Sequence, residues 1–168
     1  MKKEVIYLAW WCFWCIDSAY IDYDGVEQTA SGYIWGSAET ANYQDVCSGI
    51  TDHREAVQIE YYPDKISLEA VLDRFFEYIN PYDFDWQFAD KWFQYTTAIY
   101  YQTDEELEII EKYLENKDYD KPLATQVVEF DNFYEAEDYH QNYAENHPTR
   151  YNMYFKWSWR ENYVKNNK

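Results

Sequence analysis

The sequence predicts an α+β fold, a two-layer sandwich in which helices cover a mixed sheet. Strand-like and helix-like segments alternate along the chain, and no strand runs into a glycine-rich loop of the kind that cradles phosphate. At 168 residues the chain makes one domain, long enough to bury a sizeable core.

The elements follow in order. Val5-Ile6-Tyr7-Leu8-Ala9 is a short apolar run suited to a buried strand, and Phe13 to about Tyr23 reads as a helix. Gly25 turns the chain into a strand from about Val26 to Tyr33; Gly32 to Ala41 reads as a polar loop and Asn42 to Cys47 as a short helix. Ala56 to Tyr62 alternates as a half-buried strand does and stops at Pro63-Asp64. Ser67 caps a helix through about Ile79, with Leu68, Val71, Leu72, Phe75 and Phe76 at helical spacing, and Pro81 closes it. Residues 82–93 form an irregular aromatic and acidic loop, and Gln94 to Tyr101 a strand. Thr103 opens a helix to Leu114, with Glu106 at the reciprocal capping position. Thr125 to Phe130 is the last strong strand, Phe133 to Tyr143 is partly helical, and the chain after Trp157 is polar and expected to be loose.

Composition excludes some functions. A net charge of −18 argues against a nucleic-acid or anionic-membrane surface, which needs clustered Lys and Arg. No segment approaches the roughly 18 uninterrupted apolar residues of a membrane span. The start, Met1-Lys2-Lys3 before apolar residues, mimics a signal peptide, but the apolar run is short, aromatic and broken by cysteines, with no small-x-small cleavage site. Three cysteines, an odd number, fit a reducing compartment better than a disulfide framework, and a cytoplasmic location is expected. His53 and His140 have no cysteine or carboxylate at metal-ligand spacing, so structural hydrogen bonding is expected and no metal site.

The chemistry concentrates in Trp10-Trp11-Cys12-Phe13-Trp14-Cys15. A cysteine between a buried strand and a helix is placed where first-turn N–H groups stabilise a thiolate, and the rings after it suit a sulfur-bearing apolar group. Cys12 and Cys15 stand at i, i+3, within bridging reach across one helical turn.

This signature resembles the A-type peptide methionine sulfoxide reductases, whose pattern is Gly-Gly-Cys-Phe-Trp followed by Gly or Cys. The similarity continues through Gly32-Tyr33-Ile34-Trp35-Gly36, Tyr43-Gln44-Asp45-Val46-Cys47-Ser48-Gly49, Thr51-Asp52-His53-Arg54-Glu55-Ala56-Val57, Gln87-Phe88-Ala89-Asp90, Gln94-Tyr95 and Phe133-Tyr134-Glu135-Ala136-Glu137-Asp138-Tyr139-His140-Gln141, covering roughly residues 4–155. It implies a ferredoxin-like α/β plait with an irregular C-terminal extension, a catalytic domain over 1–156 and a polar tail over 157–168. It also implies reduction of methionine-S-sulfoxide, free or in oxidised proteins, by a monomer that binds no cofactor and is recycled by thioredoxin or another dithiol.

Carried over residue by residue, the resemblance makes Cys12 the nucleophile and Phe13 with Trp14 the seat of the substrate's S-methyl group. Glu55 becomes the proton donor, its carboxyl expected to hold a proton near neutral pH in a poorly solvated aromatic pocket. Tyr43 and Tyr95 become hydrogen-bond partners of the sulfoxide oxygen, and Asp90 the residue ordering polar groups there. Cys15 is the leading resolving thiol and Cys47 the runner-up; the recycling cysteines that many relatives carry near the C-terminus are absent.

Of eight tryptophans only Trp14 matches a family tryptophan; Trp10, Trp11, Trp35, Trp86, Trp92, Trp157 and Trp159 stand where glycine is expected. A single cause would account for all of them and is the expectation: UGA codons read as tryptophan in a lineage that assigns them glycine. Genuine tryptophans at Trp10, Trp11, Trp35 and Trp86 would crowd the site and favour a catalytically impaired homologue or binding domain. A general Cys12-x-x-Cys15 thiol-disulfide oxidoreductase is the other alternative, and it leaves Tyr43, Glu55, Asp90 and Tyr95 unexplained.

Overall fold

The computed structural model describes residues 2–10, 12–83, 96–158 and 160–166. Its elements are β1 (Glu4–Ala9), α1 (Phe13–Tyr20), β2 (Val26–Ile34), α2 (Tyr43–Cys47), β3 (Arg54–Tyr61), α3 (Leu68–Tyr78), β4 (Ala98–Tyr101), α4 (Asp104–Asn116), β5 (Gln126–Glu129), β6 (Phe133–Glu135), α5 (Tyr143–Asn146), α6 (Pro148–Trp157) and α7 (Arg160–Asn166). The strands form one mixed sheet in the order β5-β4-β1-β3-β2-β6. Only β4 and β5 are parallel; β1 and β3 pair antiparallel from Glu4 opposite Tyr61 to Ala9 opposite Ala56.

Alternation along the strands sorts the core into two faces. Ile6, Leu8, Val57, Ile59 and Tyr61 pack with Ile16, Tyr20, Leu72 and Phe75 from the helices. Tyr7, Ala9, Ile34, Ala56, Ala98 and Tyr100 face the other way, where Phe130 stacks on Tyr7 with ring centroids 4.2 Å apart. Arg54 lies on this second face, donating to Thr96 Oγ1, Tyr100 Oη and Gln126 Oε1.

Local signals placed most helix starts. Asn42, Ser67 and Thr103 each accept a first-turn N–H, from Asp45, Ala70 and Glu106. Glu106 answers by accepting the Gln102 N–H at 2.6 Å.

Four expectations are corrected. The first helix ends at Tyr20, because Ile21 leads directly into the turn at Gly25. The polar loop is shorter than expected, since β2 continues to Ile34 and a 3-10 turn occupies Ala38–Thr40. Phe133–Glu135 is a strand, completing the sheet edge against β2; three residues are too few for alternation to be read. The region expected as a loose tail contains α7, which buries Arg160 and Val164. The expected loop over 82–93 and the start of the strand at Gln94 lie mostly outside the described residues; β4 itself begins at Ala98.

Candidate active site

The site is assembled where β1 ends and α1 begins. Cys12 is the N-cap of α1 with extended backbone, φ −133° and ψ 102°, and its carbonyl accepts the Cys15 N–H at 2.9 Å. The turn brings the two thiols into hydrogen-bond contact. Both are deep, with Cys12 5% exposed and Cys15 0%. Burial pushes the Cys12 thiol well up, and Cys15 adds to that effect. Burial also opposes ionisation of Cys15, yet the hydrogen bond from Cys12, the Arg160 charge and the Tyr151 hydroxyl together bring it below its ordinary value. One proton is therefore shared between the sulfurs, and the first negative charge belongs to the pair.

The neighbouring strand supplies Glu55, 5% exposed. Its Oε2 accepts the Phe13 N–H at 3.2 Å, while its backbone carbonyl accepts the Trp10 N–H at 3.2 Å. Tyr43 opens α2; its N–H donates to Glu137 Oε1 at 2.9 Å, and its hydroxyl meets the half-buried Cys47. Burial first, then Cys47, Glu55 and Cys12, push the Tyr43 hydroxyl upward, keeping it a neutral donor. Cys12 and Glu55 thus both act on Tyr43, from separate elements.

Phe13 and Trp14 lie on an aromatic floor. Phe13 is 4.9 Å from His140 by ring centroids, and Trp14 stacks on Tyr143 at 3.8 Å with planes 8° apart. Trp14 Nε1 donates to His140 Nδ1 at 3.1 Å, and burial pushes His140 below its ordinary value, so the ring is neutral with its hydrogen on Nε2. Glu137 ties this floor together, accepting the Tyr33 hydroxyl at 2.8 Å as well as the Tyr43 N–H.

His53 is buried, with Nε2 at 3.0 Å from the Ser37 carbonyl, and it fills the space a side chain at Gly36 would need. Among the described residues no cluster of His, Cys, Asp or Glu could hold a metal ion. Asp90, Tyr95, Trp11, Trp86, Trp92 and Trp159 lie outside the described residues.

Trp10 is fully buried, with the Arg160 guanidinium 5.2 Å from its ring centroid. Trp35 has φ 67° and precedes Gly36 at φ 72°, so two consecutive residues take the left-handed conformation glycine favours. Sequence reasoning missed Glu137, Tyr151, Tyr154 and Arg160. The i, i+4 spacing of Arg160 and Val164 was the available signal for α7.

Over residues 4–168 the chain matches the family described as peptide methionine sulfoxide reductase. The chain belongs to that family. A peptide methionine sulfoxide reductase MsrA from Bacillus velezensis is 40% identical over 97% of this chain and 94% of its own length. The Bacillus subtilis MsrA is 37% identical with the same coverage. Among solved structures, Saccharomyces cerevisiae Mxr1 in reduced form is 32% identical and superposes with a TM-score of 0.82, covering 88% of this chain and 87% of its own. Mxr1 in complex with Trx2 is 26% identical and superposes with a TM-score of 0.55, over 85% and 86% of the two chains. The family's solved structures share the α+β fold with its mixed sheet.

Proposed function

We propose that this chain is an oxidoreductase that reduces methionine-S-sulfoxide, free and within proteins, using Cys12 as nucleophile and Cys15 as resolving thiol. The direct thiol contact at the start of α1, walled by Glu55 and Tyr43, carries this reading. The Cys12 sulfur attacks the sulfoxide sulfur while the oxygen is protonated, with Glu55 as the proton donor and Tyr43 as hydrogen-bond donor to that oxygen. Oxygen passes to Cys12, methionine leaves, and Cys12 becomes a sulfenic acid. The Cys15 thiol then attacks that sulfur, expelling water and forming the Cys12–Cys15 disulfide. A dithiol donor reduces the disulfide by exchange; thioredoxin is the donor favoured by the Mxr1 complex with Trx2. Phe13 and Trp14 seat the S-methyl group, with Tyr95 and Asp90 completing the oxygen side.

The same reading makes the chain a cytoplasmic monomer that repairs oxidised proteins under oxidative stress. It agrees with three free thiols and with the absence, among the described residues, of a helix long and apolar enough to cross a membrane. The left-handed backbone of Trp35 supports the further reading that the seven tryptophans at family glycine positions are UGA-encoded glycines in the native host. Intact mass of natively produced protein tests this, since glycine at those positions makes the chain much lighter.

The deciding assay follows each epimer of racemic methionine sulfoxide by chiral chromatography, with a dithiol as reductant. Loss of the S epimer alone, abolished in Cys12→Ser, is the expected result; equal loss of both epimers or activity surviving in Cys12→Ser overturns the proposal.

A further inference from the structure

Glu137 and His140 stand at the two ends of the 3-10 turn that follows β6, Glu137 as its N-cap and His140 as its last residue. Gln141 fastens that turn to the sheet: its side chain accepts the Ser31 N–H and donates to the Ser31 carbonyl, each at 2.9 Å, as a neighbouring strand would. His140, 2% exposed, lies against the rings of Phe13, Trp14, Tyr43 and Tyr139, with centroids 4.9, 5.6, 4.6 and 4.2 Å away. An indole N–H can only donate, so the 3.1 Å bond from Trp14 requires an unprotonated His140 Nδ1. Nε2 then carries the hydrogen; it is buried without a hydrogen-bond partner among the described residues and lies 3.8 Å from Glu137 Oε2. Glu137 holds the other side of the pocket, its Oε1 accepting the Tyr43 N–H at 2.9 Å.

We propose that Glu137 and His140 are a positioning pair for substrate binding: neutral His140 fixes the Trp14 ring, Glu137 fixes Tyr43, and the turn they share sets one against the other. The inference rests on the reading in which Trp14 and Tyr43 serve the methyl and oxygen ends of the sulfoxide. It makes substrate affinity depend on one proton. A hydrogen added at Nδ1 would meet the Trp14 N–H, donor against donor, and the imidazolium's Nε2–H would be drawn towards Glu137 Oε2, which already accepts the Tyr33 hydroxyl. Burial pushes the His140 imidazole below its ordinary value, against the pull of Glu137. The other groups facing it add no charge: Tyr43 on α2 and the neighbouring Tyr139 are hydroxyls held above their ordinary values, and Phe13 and Trp14 on α1 do not ionise. The pocket therefore stays assembled at neutral pH and loosens in acid.

The first test needs no sulfoxide. Nitrogen NMR of the isotope-labelled full chain at neutral pH should show His140 with its hydrogen on Nε2. The Trp14 indole resonance, identified by its loss in Trp14→Phe, should move in acid together with the His140 imidazole. A hydrogen on Nδ1, or an indole resonance indifferent to the titration of His140, overturns the proposal, and the tautomer is read on the wild-type chain whether or not a variant folds. The second test separates KM from kcat for methionine-S-sulfoxide with a dithiol reductant. His140→Leu should raise KM about fivefold at neutral pH, the effect of one lost hydrogen bond, with a smaller change in kcat. His140→Asn puts an amide oxygen where Nδ1 stood; it should recover most of that affinity and abolish the rise in KM that wild type shows in acid. A folded His140→Leu with the wild-type KM overturns the proposal. So does a His140→Asn as impaired as His140→Leu, which would assign the ring to packing. If the resonances behave as stated and neither epimer is consumed, the sulfoxide reading fails alone; if the S epimer is consumed while KM ignores His140, the positioning pair fails alone.

Discussion

Glu55 Oε2 accepts the backbone N–H of Phe13 at 3.2 Å, so the expected proton donor is fixed to the first turn of the helix that Cys12 caps. Glutamine at this position can still accept that N–H but has no proton to give. Glu55→Gln should keep the fold and the substrate affinity while slowing the single-turnover reduction by about 10²-fold or more. A Glu55→Gln variant whose single-turnover rate equals that of wild type removes Glu55 as the acid.

Cys15 and Cys47 separate by what happens after the first turnover. Cys15→Ser should release one equivalent of methionine, then stall with sulfenic acid on Cys12, which dimedone labelling and mass spectrometry would detect. Cys47→Ser should continue to turn over with the dithiol donor. If the stall moves to Cys47→Ser, the resolving thiol is Cys47.

Asp17 gives the clearest pH signature. It is 1% exposed, its Oδ1 accepts the Thr29 hydroxyl, and its Oδ2 lacks a hydrogen-bond partner among the described residues. Burial pushes its carboxyl from 3.8 to about 6. Between those values the folded chain binds more protons than the unfolded one, so this group's contribution lowers stability as pH rises through the window and leaves the full cost above it. Asp17→Asn removes the titration, so its stability relative to wild type should grow by about 2 kcal/mol between pH 4 and 7. Urea unfolding of both proteins at the two pH values checks this; a difference independent of pH would show that Asp17 ionises as freely in the fold as out of it.

Trp35 is expected to be a net cost. A non-glycine residue in the left-handed region costs about 1–2 kcal/mol, against which its 42% exposed ring offers an edge contact with Tyr100 at 6.2 Å. Trp35→Gly should raise the melting temperature by about 2–4 °C, the response of a domain this size to about 1 kcal/mol. Trp10→Gly alone should do the reverse, because the buried ring is packed against Arg160 and its loss leaves a cavity. A Trp35→Gly variant that melts lower than the parent would make the tryptophan an adapted feature of the turn.

What the sequence made legible was local or motif-borne. The caps at Asn42, Ser67 and Thr103 declare helix starts by chemistry acting over three residues, and alternation in Ala56 to Tyr62 declares a strand with one buried face. The corner of Cys12, Cys15 and Glu55 was legible through a resemblance, with the Cys12–Cys15 contact following from helical pitch. Phe133–Glu135 was not legible, because it is a strand only through its pairing with Gly32 to Ile34, about a hundred residues earlier in the chain. Arg160 was hidden for a similar reason. A lone arginine among polar residues reads as solvated surface until rings from distant segments, Trp10 and Tyr154, give its guanidinium a place to lie inside.

The depth of the cysteine pair also sets a timetable. A donor protein can exchange with a disulfide only by touching a sulfur, and neither Cys12 nor Cys15 presents one to solvent in this arrangement. Tyr151, Tyr154 and Arg160 act on the pair from α6 and α7, so on the proposed Cys12–Cys15 route re-reduction would have to wait for those helices to part from α1. Opening becomes a first-order step placed between two chemical ones. At saturating reductant the turnover rate would then meet a ceiling common to every donor, set by how often the C-terminus of the enzyme lets go.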